Sequence, residues 1–383
     1  MILILKPNIS SESNEYRQLL DYLENLQNIQ LRVRREQGAE QVLTEVHLIG
    51  NTIPLSSEEM KSLPGVEQVV RVSEKYRVLG RHKDDYRPTS FDYNGVHFSQ
   101  DTLSVFAGLC AVDTREHVEQ MMKALRDNGQ VCTRMGAYKP RTSPYAFQGH
   151  CKTCLPYVFE LAGKYGIRVI AMEVTHESHV DEISEALHQT GSPTGVMLQI
   201  GTRNIQNFEL LKLVGRQQVF PVLLKRGFGI TLEESLYAAE YLASEGNRKI
   251  VFCLRGMKTS MSDPHRNLVD FAHVPVVKRL TRMPVCIDPS HAVGSRHSGR
   301  DGILDIMHAA AQGVLAGANM VLIDFHPAPS KALVDGPQAL VLEELPHFLE
   351  DIQITREAYE KRLALAQRHQ AVMQEQCSLV GAV

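Results

Sequence analysis

The chain has 383 residues, 43% of them hydrophobic and 22% charged, and a formal net charge of −3. That length exceeds one typical core and predicts two domains, one of them large. The mild acidity excludes a general nucleic-acid binder or membrane-surface protein, both of which carry a basic excess, and no apolar run approaches a membrane span. The opening Met1-Ile2-Leu3-Ile4-Leu5 runs straight into Lys6-Pro7, too soon for a signal peptide's apolar region. Seven cysteines scattered through the chain fit a reducing compartment and no disulfide framework, so a cytoplasmic protein is expected.

Residues 1–73 read as a small α+β unit. Ile2–Leu5 is a short strand, followed by Tyr16, Leu19, Leu20, Leu23 and Leu26 at helical spacing. Strand-like runs lie around Leu31–Val33 and Val42–Ile49. Ser56–Leu63 is a short helix with Ser56 as N-cap, and Val66–Val72 is a last strand. The order βαββαβ is ferredoxin-like. This unit lacks clustered His, Cys or carboxylate, so regulation or assembly is expected of it. Residues 74–102 form a polar, basic connector ending in a hairpin over Phe91–Phe98, where Asn94-Gly95 sits between alternating apolar residues.

From 103 to 352 the pattern becomes strand, loop, helix, repeated eight times. The expected strands are Leu103–Leu109, Gln130–Met135, Arg168–Glu173, Gly195–Ile200, Val219–Leu224, Lys249–Leu254, Pro284–Ile287 and Asn319–Asp324. Short apolar strands alternating with amphipathic helices imply a parallel sheet covered by helices, and eight units in this length fit a closed (β/α)8 TIM barrel. An open doubly wound sheet is the alternative. Residues 353–383 are a charged helical tail with no evident chemistry.

In such a barrel the chemistry sits at the C-terminal ends of the strands. Cys110 ends the first strand. Arg134, Lys139 and Arg141 follow the second, Glu173 ends the third, and Arg203 comes after the fourth. Lys225 and Arg226 follow the fifth, Arg255 the sixth, and His291 the seventh. Asp324 ends the eighth, with His326 and Asp335 beyond it. Strands seven, eight and one are neighbours in a closed barrel, so Cys110, His291, Asp324 and Asp335 can converge. A thiolate, an imidazole and two carboxylates suit a divalent transition metal better than magnesium or calcium. The cations occupy the opposite arc, and together the two arcs suit substrates carrying phosphate and a polarisable carbonyl. The loop Lys139-Pro140-Arg141-Thr142-Ser143-Pro144, braced by two prolines, presents its charges in a fixed fan.

These residues carry a resemblance. Ala107-Gly108-Leu109-Cys110-Ala111-Val112, Gly136 through Gly149, Gln199 through Phe208, Leu223-Leu224-Lys225-Arg226-Gly227, Asp288-Pro289-Ser290-His291, and Phe325-His326-Pro327 with Asp335-Gly336 resemble the 3-deoxy-7-phosphoheptulonate (DAHP) synthase family. The similarity is to the branch with an N-terminal ferredoxin-like domain and runs from about residue 1 to 350. The resemblance implies a cytoplasmic transferase that condenses phosphoenolpyruvate with erythrose 4-phosphate. It implies Cys110, His291, Asp324 and Asp335 as ligands of a divalent metal, whether Mn, Fe, Co or Zn. Phosphoenolpyruvate would be held by Arg134, Lys139, Arg203, Lys225 and Arg255, and the aldose phosphate by Arg141, Thr142 and Ser143. Lys139 or Glu173 would handle protons. A small-molecule effector on residues 1–73 and a dimeric or tetrameric homo-oligomer are also implied.

The chain departs from the family near the metal arc. The usual Gly-Pro-Cys is Gly108-Leu109-Cys110, the usual metal-binding Glu is Asp324, the acidic residue after the cysteine loop is shortened to Asp113, and Leu254 precedes Arg255 where close relatives have Glu. These changes keep open a paralogue with a different aldose acceptor, or a non-catalytic regulator. Other signals are discounted. Cys151-Lys152-Thr153-Cys154 is a single CxxC at the start of the second barrel helix, where thiols commonly pack. His176, His179, His265, His273 and His297 show no ligand spacing, and Gly227-Phe228-Gly229 is too short for a nucleotide loop.

Overall fold

A computed structural model describes residues 1–38, 41–52, 54–71, 75–82 and 86–380, with side chains to residue 374. The chain separates into two compact units, Met1–Arg87 and Pro88–Val383.

In the first unit β1 (Ile2–Leu5), α1 (Asn14–Glu24), β2 (Ile29–Gln37), β3 (Val42–Gly50), α2 (Ser57–Lys61) and β4 (Val66–Val70) follow in order. The sheet order is β2-β3-β1-β4, the ferredoxin-like arrangement. Both helices start on a serine whose hydroxyl accepts from the backbone N–H three residues on, Ser13 from Tyr16 and Ser56 from Glu59. Leu19 and Leu23 of α1 pack with Leu3, Leu5, Val46, Leu48 and Met60 as one core. Strand β2 is longer than its apolar run predicts. Its outer half, Arg32 to Gln37, is exposed on both faces of an edge strand, so ladder pairing with β3 holds it where no alternation could mark it. Val72, the expected end of the last strand, lies outside the described residues.

In the second unit a hairpin, β5 (Phe91–Tyr93) and β6 (Val96–Phe98), turns on Asn94 and Gly95, both at positive φ. Eight parallel strands then close on themselves: β7 (Ser104–Leu109), β8 (Cys132–Met135), β9 (Val169–Val174), β10 (Gly195–Ile200), β11 (Val222–Lys225), β12 (Ile250–Leu254), β13 (Val285–Ile287) and β14 (Met320–Asp324), with β14 pairing back to β7. This is the expected (β/α)8 barrel, not an open sheet. Its interior is a layered apolar core that includes Phe106, Met197, Leu223, Val251, Cys286 and Leu322. Phe91 and Phe98 of the hairpin join that core, the Tyr93 hydroxyl accepts from Val196 N–H at 3.1 Å, and Asn94 donates to the Arg168 carbonyl at 2.6 Å. The hairpin thereby closes the N-terminal end of the barrel and leaves only the C-terminal end open. The helices between strands are α3 (Arg115–Asp127), α4 (Leu155–Tyr165), α5 (Ser178–Gln189), α6 (Phe208–Arg216), α7 (Leu232–Ser244), α8 (Val274–Leu280), α9 (Pro289–Val293) and α10 (Asp305–Leu315). Cys151–Cys154 forms a 3-10 turn leading into α4. A final helix, α11 (Leu345–Val380), anchors its first turns through Leu345, Phe348 and Ile352 and is exposed from Lys361 to residue 374. No described helix is long and apolar enough to cross a membrane.

Candidate active site at the barrel mouth

Two groups of side chains meet where the strands end. In the first, Cys110, His291, Asp324 and Asp335 offer one ligand atom each, all within 4.8 Å of one another. The Cys110 Sγ is 3.2 Å from Asp335 Oδ2 and 3.7 Å from His291 Nε2, and His291 Nε2 is 3.4 Å from Asp335 Oδ2. These three form the tight part of the cluster. Asp324 sits differently. One of its oxygens takes an ion pair from Arg134, the other accepts from Gln338 Nε2 at 2.6 Å, and the carboxylate approaches the Nδ1 side of His291 at 3.8 Å.

The local sequence explains how His291 is aimed. Asp288 caps the short helix α9, accepting from His291 N–H at 3.1 Å, and the same carboxylate oxygen lies 3.0 Å from His291 Nδ1. The other oxygen of Asp288 accepts from Lys225 Nζ at 2.6 Å. Placing the ring proton on Nδ1, against Asp288, leaves the Nε2 lone pair facing Cys110 and Asp335, the tautomer a metal ligand needs. Burial opposes a charge on this ring, but Asp288 and Asp324 outweigh it and push its pKa up to about 10, so a metal takes Nε2 in exchange for the proton that otherwise points at Asp335. Burial alone would raise the Asp335 pKa. The hydrogen bond and charge of His291 and the charge of Arg266 overcome it and hold that carboxyl well below the usual range. Asp335 also sits in the left-handed region at φ 56°, a conformation few non-glycine residues adopt and one that recurs at functional sites. A buried thiol, an imidazole whose Nε2 faces the other donors and two carboxylates fit a divalent transition metal by donor chemistry.

The second group lines a cavity of about 310 Å³. Arg134, Lys139, Arg141, Thr142, Ser143, Glu173, Arg203, Lys225 and Arg255 all face it, together with His291 and Asp335. Cys110 and Asp324 lie behind its wall. Lys139 is buried and donates to Glu173 at 3.3 Å and to Cys110 Sγ at 3.5 Å. Burial works against its charge, but Cys110 and Glu173 more than compensate, so it stays protonated. Glu173 fits only because residue 201 is glycine: a Cβ there would stand 1.9 Å from Glu173 Oε1. Arg203 donates to the Thr142 hydroxyl at 3.1 Å, joining the end of β10 to the proline-braced loop. Arg255 is 3% exposed, yet its Nε and Nη1 have no hydrogen-bond partner, and its guanidinium stacks 4.7 Å from the Phe228 ring centroid. Burial pulls its pKa down, as expected of a guanidinium whose charge is met by no close carboxylate. Donors held ready in a pocket without an internal acceptor call for an anionic ligand.

Several participants carried little or no signal in the sequence. Asp288 was visible as part of a motif, three residues before His291, but its role as both cap and ring partner needed the short helix. Gln338 on Asp324 and Arg266, which donates to Asp335 at 3.0 Å, come from loops with no marking pattern. Phe228 was set aside within a glycine pair, yet its ring also lies 5.3 Å from the Arg203 guanidinium. A further cluster, Asp113, His117 and His326, was not anticipated at all.

Fold and mouth together define a class: a (β/α)8 barrel whose mouth joins a donor set able to hold a metal to a cavity lined by cations. Comparison with known proteins narrows this. Residues 87–361 match the model of the DAHP synthetase I family and residues 1–74 that of the DAHP synthase ferredoxin-like domain, and the chain belongs to this family. It is 35% identical over 355 residues to a phospho-2-dehydro-3-deoxyheptonate aldolase of Thermotoga maritima, spanning 92% of this chain and 97% of the relative. The crystal structure of a DAHP synthase from that organism superimposes with a TM-score of 0.67 at 33% identity, covering 93% of this chain and 97% of the other. A 2-dehydro-3-deoxyphosphooctonate aldolase of Acidithiobacillus ferrooxidans is 26% identical and covers 66% of this chain and 89% of its own length.

Proposed function

We infer that the chain condenses phosphoenolpyruvate with erythrose 4-phosphate to form 3-deoxy-D-arabino-heptulosonate 7-phosphate and phosphate, the entry step to the shikimate pathway. The observation that carries this is the joining, in one mouth, of a cavity lined by cations, Arg255 among them with two unpartnered nitrogens, to a thiol-imidazole-carboxylate cluster, on a chain similar over nearly its whole length to an enzyme of that name. The octonate-type relative covers 66% of this chain at 26% identity, against 92% at 35% for the heptonate-type one, which favours the four-carbon acceptor.

Phosphoenolpyruvate carries close to three negative charges, and the guanidinium forks of Arg134, Arg203 and Arg255 with Lys139 and Lys225 match its phosphate and carboxylate. Arg141, Thr142 and Ser143, on the outer side of the same cavity, hold the acceptor's phosphate. Cys110, His291, Asp335 and Asp324 would hold a divalent ion, which supplies Lewis acidity toward the aldose carbonyl. The enol carbon attacks that carbonyl carbon, water adds to the cationic carbon left behind, and the carbon–oxygen bond to phosphate breaks. In this reading Lys139, kept protonated between Cys110 and Glu173, gives a proton to the developing alkoxide, and Glu173 takes one back; the Lys139–Glu173 contact supports the exchange. The same reading gives a cytoplasmic homo-oligomer whose residues 1–73 bind an aromatic pathway product.

Steady-state phosphate release with phosphoenolpyruvate, erythrose 4-phosphate and added manganese tests this. Activity should vanish with a chelator and return with a divalent ion. No phosphate release with any C4 or C5 aldose phosphate, despite bound metal, would sink the reading.

A further inference from the structure

The cluster of Asp113, His117 and His326 stands beside the metal arc, and none of the three lines the cavity. Asp113 follows Cys110 by three residues, and His326 follows Asp324 by two. One oxygen, Asp113 Oδ2, lies 2.7 Å from His326 Nε2 and 2.9 Å from His117 Nδ1. The imidazole rings meet edge to face with centroids 4.8 Å apart. Asp113 Oδ1 accepts from Thr114 N–H at 2.6 Å, and His150 Nε2 reaches the Asp113 carbonyl at 2.8 Å. Asp113 and His326 are buried, and His117 sits on the first turn of α3.

Two histidines and a carboxylate invite a second metal site, but the tautomer argues against one. Ala328 N–H donates to His326 Nδ1 at 3.0 Å, so Nδ1 keeps its lone pair and the ring proton resides on Nε2, pointing at Asp113. This differs from His291, whose Nδ1 faces Asp288 while its Nε2 faces Cys110 and Asp335. A ring with its proton on the inward nitrogen donates a hydrogen bond and does not ligate.

We propose that Asp113, His117 and His326 form a latch that holds the ends of β7 and β14 together and so fixes Cys110 and Asp324 at metal-binding distance. The two segments it joins are 213 residues apart in sequence. Strands β7 and β14 pair through Asp324 and Gly108, and Phe325 N–H still bonds to the Gly108 carbonyl, but Cys110 itself lies past the ladder. Residue 109 is leucine, so no proline stiffens the backbone next to the thiol. The latch supplies the missing constraint: one buried carboxylate ties the loop after Cys110 to the loop after Asp324 and, through His117, to helix α3. Asp113, His117 and His326 are therefore positioning residues for the metal cluster. The proposal rests on the reading of Cys110, His291, Asp324 and Asp335 as a metal site.

The test is metal affinity of the full chain, measured by competition with a chromophoric chelator for manganese and zinc, alongside metal count and circular dichroism. The wild type should hold one ion per chain. Asp113→Asn and His117→Gln, folded by circular dichroism, should each lose about tenfold in affinity, the cost typical of losing an outer partner. The double variant should lose little more than Asp113→Asn alone, because both changes open one latch. Asp113→Glu should recover most of the affinity. His117 is less buried than Asp113, so its variant decides the matter even where Asp113→Asn fails to fold. Affinity within twofold of wild type in a folded variant, whatever its melting temperature, overturns the latch while leaving the metal site standing. A second ion per chain that His117→Gln removes would show the cluster to be a ligand set and likewise overturn it. No ion in the wild type, and none lost in Cys110→Ser, removes both readings together.

Discussion

At the scale of single residues, what distinguishes this mouth is which polar atoms lack a partner. Arg255 is buried with two nitrogens that no protein group partners, so an anion that pairs with them offsets the cost of burying them. Arg255→Ala should raise KM for phosphoenolpyruvate by about tenfold or more, the size of one charge-assisted hydrogen bond, with a smaller effect on KM for the aldose. Equal effects on both would contradict its assignment. Gly201→Ala would place a methyl against Glu173 Oε1 and displace that carboxylate from Lys139. The expected result is a fall in kcat of about tenfold with a nearly unchanged melting temperature, because the side chain can yield where backbone could not. Both assignments depended on the sequence in different ways. The cations were legible because barrel strands end where the apolar run ends, and charges just beyond must face the mouth. Their individual satisfaction was not, since Arg134 finds Asp324 and Lys225 finds Asp288 across gaps of 190 and 63 residues while Arg255 finds no carboxylate.

At the scale of elements, the short helix α9 shows how a cap can serve chemistry. Five residues cannot hold a helix by propagation alone, so Asp288 at the N-cap and Pro289 at the first position set its start. The same carboxylate then orients His291. Asp288→Asn keeps an acceptor for the cap but loses the charge that fixes the ring's tautomer. Metal affinity should drop 10- to 100-fold, in the range for such outer partners, while the far-ultraviolet spectrum stays native. An unchanged affinity in equilibrium dialysis would show that the ring is aimed by packing alone. The hairpin β5–β6 was legible from Asn94-Gly95, whereas the outer half of β2 was not: the hairpin is a local signal, and an exposed edge strand leaves none.

At the scale of the whole molecule, acid stability and the division into two units both yield tests. Burial would raise the Asp113 pKa, but the hydrogen bonds from His326, His117 and Thr114 outweigh it and bring it from the usual 3.8 down to about 2. A carboxyl lowered on folding contributes fully above pH 3.8, and its contribution is lost as the pH falls from there through about 2. The amount at neutral pH is about 2 kcal/mol. Urea denaturation should therefore show wild type and Asp113→Asn differing at pH 6 and converging toward pH 2, and a gap independent of pH would refute this cause. The compact unit Pro88–Val383 contains the whole barrel and both side-chain groups of the mouth. A chain begun at Pro88 should keep turnover and lose inhibition by aromatic amino acids, as read from titrations of initial rate. Retained inhibition would place the effector on the barrel.

The sequence by itself determined the barrel, the ferredoxin-like order of the first unit, the arc of cations and the ligand types of the metal arc. Periodicity and strand ends are local properties, and a closed barrel converts them into positions around a ring. Only the tertiary structure decided how those side chains are engaged. It set the proton of His291 toward Asp288 and that of His326 toward Asp113, divided Asp324 between Arg134 and Gln338, and brought Arg266 to Asp335. Each of these depends on ångström-scale approaches, most of them between loops far apart in the chain, and such approaches are fixed by packing and leave no pattern in the residues themselves.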